Sequence, residues 1–160
     1  MDNREATGRA MKTAWIIWAA HMGALVLYTV VITVLGAKGI VGPIRWVSLG
    51  KFLFLFGMLV GLVSLFARSW LLQYFVQRVR GGMAARGAHL SLLIFSIALG
   101  EIPAILAIVM TVAAGISKLA YLLIALSALA LLMNRPRVEE LEGLLKIESQ
   151  RTPGGAEGEQ

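Results

Sequence analysis

The sequence predicts an all-α integral membrane protein with four transmembrane helices in an antiparallel up-down bundle. Of the 160 residues, 58% are hydrophobic and only 15% are charged, which differs strongly from the composition of a soluble domain. The mean hydropathy is +0.78. Four apolar runs also approach or exceed the roughly 20 residues that span a hydrocarbon core. Together these observations indicate a polytopic membrane protein.

The first two helices are expected at 14–36 and 51–70, separated by a loop at 38–50. The first run follows a polar, basic segment, 1–13, and is too long for the core of a signal peptide. The second run continues beyond Arg68 with an aromatic-rich extension that suits the headgroup level. The alternative is one long helix that projects into the cytoplasm and keeps Arg68 at the interface by snorkelling.

The third helix is expected at 90–115 and the fourth at 118–134. A flexible connection with three glycines, 81–87, precedes the third helix. The fourth run holds only about 16 apolar residues, or roughly 24 Å. Either Lys118 must therefore snorkel or the bilayer must become thinner around this helix.

The chain is expected to end in an amphipathic segment, 135–149, and a disordered tail, 150–160, that has too few apolar residues to fold. The apolar residues at helical spacing in the amphipathic segment are Val138, Leu141, Leu144 and Leu145. Such a stripe predicts a short helix at the membrane surface or against a partner.

Basic residues fall mostly on one side of the four predicted helices. Of the 15 Lys and Arg residues, eleven lie in the N-terminal segment, the middle connection and the C-terminal region, and four lie on the other side. The positive-inside rule then places both termini in the cytoplasm, and we expect the inner (plasma) membrane of a cell. This orientation and contact with anionic lipid explain the net charge of +6 better than nucleic acid does.

Two local matches indicate an internal repeat. The segment 51–68 aligns without gaps on 118–135, with a lysine at the start and an arginine at the end of each. VVITV at 30–34 loosely matches IVMTV at 108–112. Two tandem hairpins produced by duplication account for these matches, and chance similarity between membrane helices accounts for them equally well.

Small residues mark the faces where helices are expected to pack, because close approach of backbones favours helix association in lipid. On the second helix these residues are Gly57, Gly61 and Ser64. On the third helix they are Ser96, Gly100, Ala104, Ala107, Thr111 and Gly115. Both sets are expected to hold the bundle together.

Glu101 is the candidate site, because no other Asp or Glu lies between Ala6 and Val138 and it falls near the middle of the third helix. Lipid disfavours the charged carboxylate, so we expect an uncharged carboxyl. Pro103 cannot donate a hydrogen bond to the carbonyl of Leu99, which leaves an acceptor in the same turn. Glu101 is therefore either a hydrogen-bonded clamp between helices or a group that takes part in ion transfer.

His21 and Tyr28 are the candidate partners of Glu101 on the first helix, which runs in the same direction as the third. Counted from the predicted inner ends, Glu101 lies about 17 Å deep, His21 about 11 Å and Tyr28 about 21 Å. A histidine partner would form a proton relay or a buried ion pair, whereas a tyrosine would form an ordinary hydrogen bond. Tyr121 and Ser127 are further polar candidates on the fourth helix.

The segment ALGEIPAILAIV, which contains Glu101 and Pro103, resembles the proteolipid subunits of rotary ATPases over about a dozen residues. Those subunits carry a mid-membrane Glu or Asp near a proline, and the larger ones are duplicated hairpins. The resemblance implies ion translocation through Glu101. Here, however, the acid lies on the first helix of its hairpin, no helix has a dense glycine repeat, and the termini are predicted to be cytoplasmic. We therefore retain translocation as a hypothesis and do not infer family membership.

The sequence contains no motif of a known enzymatic site, such as a phosphate-binding glycine loop, an HExxH pair or a serine triad. There is no cysteine, which excludes disulfides and thiolate ligands. Two facing ligands for haem would have to be His21 and His89, and His89 beside Arg86 is more simply an interfacial residue. We expect no metal and no cofactor.

The sequence thus predicts a small polytopic membrane protein without enzymatic activity. It is expected to act as an accessory or oligomer-forming subunit with a buried polar centre at Glu101. The expected partners are the lipid bilayer and either a second copy of the chain or another subunit of a membrane complex. Proton or cation translocation is the first alternative, and a haem-binding electron carrier is the second.

Overall fold

The computed structural model describes residues 3–39, 47–115 and 117–151, and every regular element in these ranges is a helix. In chain order the helices are α1 (Asn3–Ala37), α2 (Val47–Arg80), α3 (Ala85–Ala114), α4 (Ser117–Met133) and α5 (Val138–Arg151). The predicted all-helical class is confirmed. Helices α1 to α3 are long and apolar enough to cross a membrane, and α4 and α5 provide a fourth span if this pair, bent by 48°, is counted as one.

Three helices extend beyond the predicted spans, and the third of them, α3, begins at Ala85 rather than at residue 90. α1 begins at Asn3, within the segment predicted to be merely polar, and α2 continues unbroken to Arg80, as in the long-helix alternative. α2 and α3 are joined by a tight turn and not by a flexible linker. In this turn the Met83 amide donates to the Arg78 carbonyl at 2.9 Å, and Gly82 has a φ of 117°, which favours glycine.

Parts of three predicted segments lie outside the described residues. These parts are 1–2 of the predicted N-terminal segment, 40–46 of the predicted loop and 152–160 of the predicted tail. The predicted fourth helix agrees with α4 to within one residue at each end, a difference within the usual uncertainty of helix ends.

Contacts across the bundle show that α3 and α4 run in opposite directions. Gly100 on α3 lies against Ala130 and Leu131 on α4. Four residues later, the amide of Ala104 donates to Ser127 Oγ on α4 at 3.0 Å. The contact thus moves forward along α3 and backward along α4, so these two helices are antiparallel.

α1 is likewise antiparallel to α4, which makes it parallel to α3. The Trp18 indole N–H donates to the Leu131 carbonyl at 2.8 Å. Further along α1, Thr33 Oγ1 lies 3.0 Å from the Tyr121 hydroxyl. These two bonds connect α1 to both ends of α4.

The predicted small residues of α2 make the closest helix contacts. At Gly61 an added Cβ would overlap Leu126 of α4, lying 2.6 Å from its Cγ, and would lie 3.2 Å from Pro103 Cγ of α3. At Gly57 it would lie 3.0 Å from both Leu123 methyl groups. Glycine at these positions therefore lets the α2 backbone approach α3 and α4 directly.

Most of the predicted packing residues of α3 are buried, with one exception. The buried ones are Ser96, Gly100, Ala104, Ala107 and Thr111, and Ser64 of α2 is buried as well. Gly115 is exposed, which corrects its assignment to the packing face. It caps α3 in the left-handed conformation with a φ of 67°, so its role in the described structure is to end the helix.

The amphipathic helix α5 packs on α2 and α3 of the same chain. Leu141 and Leu144 are almost completely buried, and Leu144 contacts a cluster that includes Phe75 and Val79 near the end of α2. Val138 is 43% exposed, so the inward face of α5 is narrower than the predicted stripe.

The outer surface of the bundle is strongly apolar. Exposed large side chains are frequent on α1 and α2, and Phe66 and Trp70 are 74% and 71% exposed. Contiguous apolar patches of this kind are rare on soluble monomers. Contact with lipid tails or with another membrane protein would remove this apolar surface from water, where its exposure is unfavourable.

Candidate functional site

Glu101 on α3 faces His21 on α1. His21 Nε2 lies 3.9 Å from Glu101 Oε2. The Glu101 side chain is 14% exposed and the His21 side chain is 34% exposed, so the pair lies in the groove between α1 and α3 and is not sealed within the bundle. Oε1 of Glu101 is buried and has no hydrogen-bond partner among the described residues.

The His21 ring is fixed by its own helix. Nδ1 lies 2.7 Å from the carbonyl of Ile17, and because a carbonyl only accepts hydrogen bonds, Nδ1 carries the hydrogen. The ring nitrogen facing Glu101 is therefore an acceptor when His21 is neutral and a donor when it is charged. When the pair carries one proton, that proton can therefore reside on the carboxyl or on the imidazole, and both arrangements have the same net charge.

The contacts of Trp18 explain why His21 reaches Glu101. The indole N–H of Trp18 binds the Leu131 carbonyl, which is one of the last α4 carbonyls that no amide within the helix can satisfy. Leu131 in turn packs on Gly100. Trp18 and Gly100 are therefore held at one level, and His21, one turn beyond Trp18, comes to lie beside Glu101.

This arrangement sets the level of Glu101 relative to the other helices. Glu101 lies at the middle of α3, but it is level with the last turn of α4, about 5 Å from the end of that helix at Met133. The difference arises because α3 begins at Ala85 and its first turns extend past α4 to pack on α5. The carboxyl therefore lies near the end of α4 although it is near the middle of α3.

The other predicted partners do not join this site. Tyr28 packs against the bundle core and makes no hydrogen bond to Glu101 among the described residues. Tyr121 pairs with Thr33. Pro103 is buried, and next to it Ser127 accepts the hydrogen bond of the Ala104 amide, so the fourth helix directly supports the backbone at the proline.

A second polar cluster, absent from the sequence-based prediction, lies where α5 packs against the bundle. The Arg68 cluster consists of Arg68, His89, Asn134 and Glu140. Arg68 donates from Nε to Glu140 Oε1 at 2.8 Å and from Nη2 to Oε2 at 2.6 Å, the bidentate geometry of a strong ion pair. The two side chains are only 8% and 10% exposed. Arg68 is therefore held by α5 and does not snorkel.

His89 lies beside this ion pair, close enough that the charges of Glu140 and Arg68 both act on its ring. It is completely buried, which corrects its interpretation as an interfacial residue. Neither ring nitrogen has a hydrogen-bond partner among the described residues, and the same holds for Arg68 Nη1 and Asn134 Oδ1. The Asn134 amide lies 3.5 Å from the Ser96 carbonyl, a long contact that binds it only weakly.

The structure separates the two histidines that the haem alternative requires. His21 is level with Glu101, and His89 lies twelve residues earlier on α3, which corresponds to about 18 Å along the helix. One iron cannot bind both rings at this separation. Among the described residues no group of three or more His, Cys, Asp or Glu side chains has the arrangement of a metal site.

The Arg68 cluster leaves only a weak signal in the sequence. Arg68 is followed by further apolar and aromatic residues, so α2 continues past it and buries the guanidinium. Its partner Glu140 lies 72 residues away on an amphipathic helix that has several acidic residues. Nothing local to Arg68 specifies which of them it contacts.

Comparison of the chain with protein-family models, with curated proteins and with solved structures returned no match. A functional interpretation must therefore rest on the two polar sites and on the apolar surface.

Proposed function

We propose that this protein is a small inner-membrane subunit whose first four helices cross the bilayer, with both termini in the cytoplasm. It contributes no enzymatic site and acts as an accessory or oligomer-forming component. The observation that carries the proposal is the His21–Glu101 pair, a polar centre in the groove between α1 and α3. A neighbouring subunit or lipid would cover this groove and complete the surroundings of the carboxyl.

The arrangement of tryptophans and arginines supports the proposed orientation. Trp15 lies close to Arg135 and Arg137 beyond the end of α4, and Trp70 follows Arg68 on α2. Tryptophan favours the membrane interface, and an excess of Arg and Lys favours the cytoplasmic side. This end of the bundle therefore corresponds to the inner leaflet, and α4 reaches the opposite leaflet through snorkelling of Lys118.

Proton transfer is the second candidate function, and the fixed His21 ring favours it. With Nδ1 bound to Ile17, Nε2 already faces Glu101 at 3.9 Å, so proton transfer would require a bridging water or a shorter distance but no rotation of the ring. In this candidate Glu101 changes its protonation during function, whereas in the subunit proposal the pair is a permanent polar contact.

Cysteine labelling tests the proposed crossings in a chain that has no cysteine of its own. In intact cells an impermeant maleimide should label Lys38→Cys and Lys118→Cys. It should leave Gly8→Cys and Gly143→Cys unlabelled, because these exposed glycines lie on the proposed cytoplasmic side. Neither glycine has an atom within 4 Å of an added Cβ, so both substitutions should be tolerated.

Permeabilised cells provide the control, since all four variants should then react. Labelling of Gly143→Cys together with the two lysine positions would mean that α4 does not cross, and only three crossings would remain. Labelling of Gly8→Cys in intact cells would reverse the proposed orientation.

A further inference from the structure

The Arg68 cluster borders a cavity of about 240 Å³ at the proposed inner-leaflet end of the bundle. Its polar wall contains Arg68, Asn134, Arg137 and Glu140, and its apolar wall includes Phe66 and Leu72. Two guanidinium groups and one carboxylate leave a net charge of +1 along this wall. The cavity therefore combines a cationic end with an apolar lining.

Unsatisfied polar groups indicate that the cavity accepts a polar ligand. Arg68 and Asn134 are at least nine-tenths buried, and Arg68 Nη1 and Asn134 Oδ1 have no hydrogen-bond partner among the described residues. Arg68 Nη1 is a donor, so an anionic ligand group could accept its hydrogen bond and recover the free energy that an unpaired buried donor costs, whereas Asn134 Oδ1 would need a donor such as a headgroup hydroxyl. Arg137 is exposed, and its Nη2 donates to the Met133 carbonyl at 3.2 Å, which holds its charge beside the cavity.

An apolar groove adjoins this cavity along α2. It has a volume of about 370 Å³ and is lined by Val63, Phe66, Ala67, Ser69 and Trp70. Phe66 and Ser69 line both spaces, so the groove and the cavity meet at these two residues. A ligand could therefore place an anionic group beside Arg137 and an apolar chain along Phe66 and Trp70.

We infer that the cavity and the groove bind an anionic phospholipid of the inner leaflet, with its phosphate at Arg137 and Arg68 and an acyl chain against α2. The positive charge selects a lipid with net negative charge over a zwitterionic one. The inference rests on the proposed membrane placement.

Lipid binding by the full-length protein in detergent micelles, measured by native mass spectrometry, tests the site. Phosphatidylglycerol, phosphatidylcholine and inorganic phosphate serve as probes. Arg137→Gln should weaken phosphatidylglycerol binding about tenfold, as expected for loss of a charge-assisted hydrogen bond. Ser69→Trp should weaken it by a similar factor, because a larger side chain fills the passage between cavity and groove without changing any charge.

Arg80→Gln is the matched control, because it removes one exposed arginine of the same proposed side outside the cavity. This variant should weaken phosphatidylglycerol binding less than about twofold if a specific site binds the lipid, rather than the overall positive charge of this side of the protein. Equal losses in Arg80→Gln and Arg137→Gln would overturn the inference. Equal binding of phosphatidylcholine would overturn it too, as would full competition by inorganic phosphate. Cysteine labelling tests membrane placement independently, so the two proposals can fail separately.

Discussion

Glu140→Gln should release α5 from the bundle. The substitution leaves the Arg68 guanidinium, whose side chain is only 8% exposed, without its counter-charge. Removing one partner of a buried ion pair costs about 3–5 kcal/mol, because the charge of the other partner remains buried and unpaired. Docking of α5 otherwise depends mainly on Leu141 and Leu144, so the loss should appear as local opening before the bundle unfolds.

Hydrogen exchange of the backbone amides in Val138–Arg151 measures this opening, and exchange there should accelerate by roughly 150- to 5,000-fold. The neighbouring exposed residue gives a matched control, Glu139→Gln, which should change exchange little. The double variant Arg68→Met with Glu140→Met should restore protection, because an apolar pair replaces the ions without an unpaired charge. Unchanged exchange in Glu140→Gln would show that the ion pair does not hold α5.

Gly61→Ala should destabilise the bundle by about 1–3 kcal/mol, the typical cost of overpacking. The new methyl group would overlap Leu126 and lie 3.2 Å from Pro103 Cγ. Leu126 would have to change rotamer or α2 would have to move away from both neighbours. This strain outweighs the gain of up to about 1 kcal/mol that alanine usually brings within a helix.

Gly23→Ala is the control for this prediction, because nothing lies within 4 Å of an added Cβ at Gly23 on α1. It should be neutral or stabilising by up to about 1 kcal/mol. Gly57→Ala should fall between the two variants, since its Cβ would lie 3.0 Å from flexible Leu123 methyl groups. Equal unfolding temperatures for Gly61→Ala and Gly23→Ala in lipid nanodiscs would refute the close packing of α2.

The helical architecture could be predicted from the sequence because it depends on the length and composition of apolar runs. The contact between Glu101 and His21 could also be predicted, since both are polar groups in otherwise apolar, parallel helices. The position of this pair relative to α4 could not be predicted. It depends on how far α3 extends beyond α4, and the Trp18 contact that sets the register of α1 has no local signature in the sequence.

The Arg68 cluster could not be predicted for a different reason. An amphipathic helix such as α5 has the same pattern whether it lies on lipid, on a partner or on its own chain. Its docking onto α2 and α3 requires a pair of residues 72 positions apart. Gly115 illustrates a smaller ambiguity, because a glycine at the end of an apolar run suits helix packing and helix capping equally well.

The reaction of Glu101 with a hydrophobic carbodiimide in native membranes tests the central claim most directly. This reagent requires a protonated carboxyl that can be reached from lipid, and the Glu101 side chain is 14% exposed in the groove beside His21. Peptide mass spectrometry across a pH series, with Glu101→Gln as the blank, measures the modification. The account predicts selective modification of Glu101 that declines as the pH rises. Absence of modification at every pH would contradict a protonated carboxyl accessible from the bilayer.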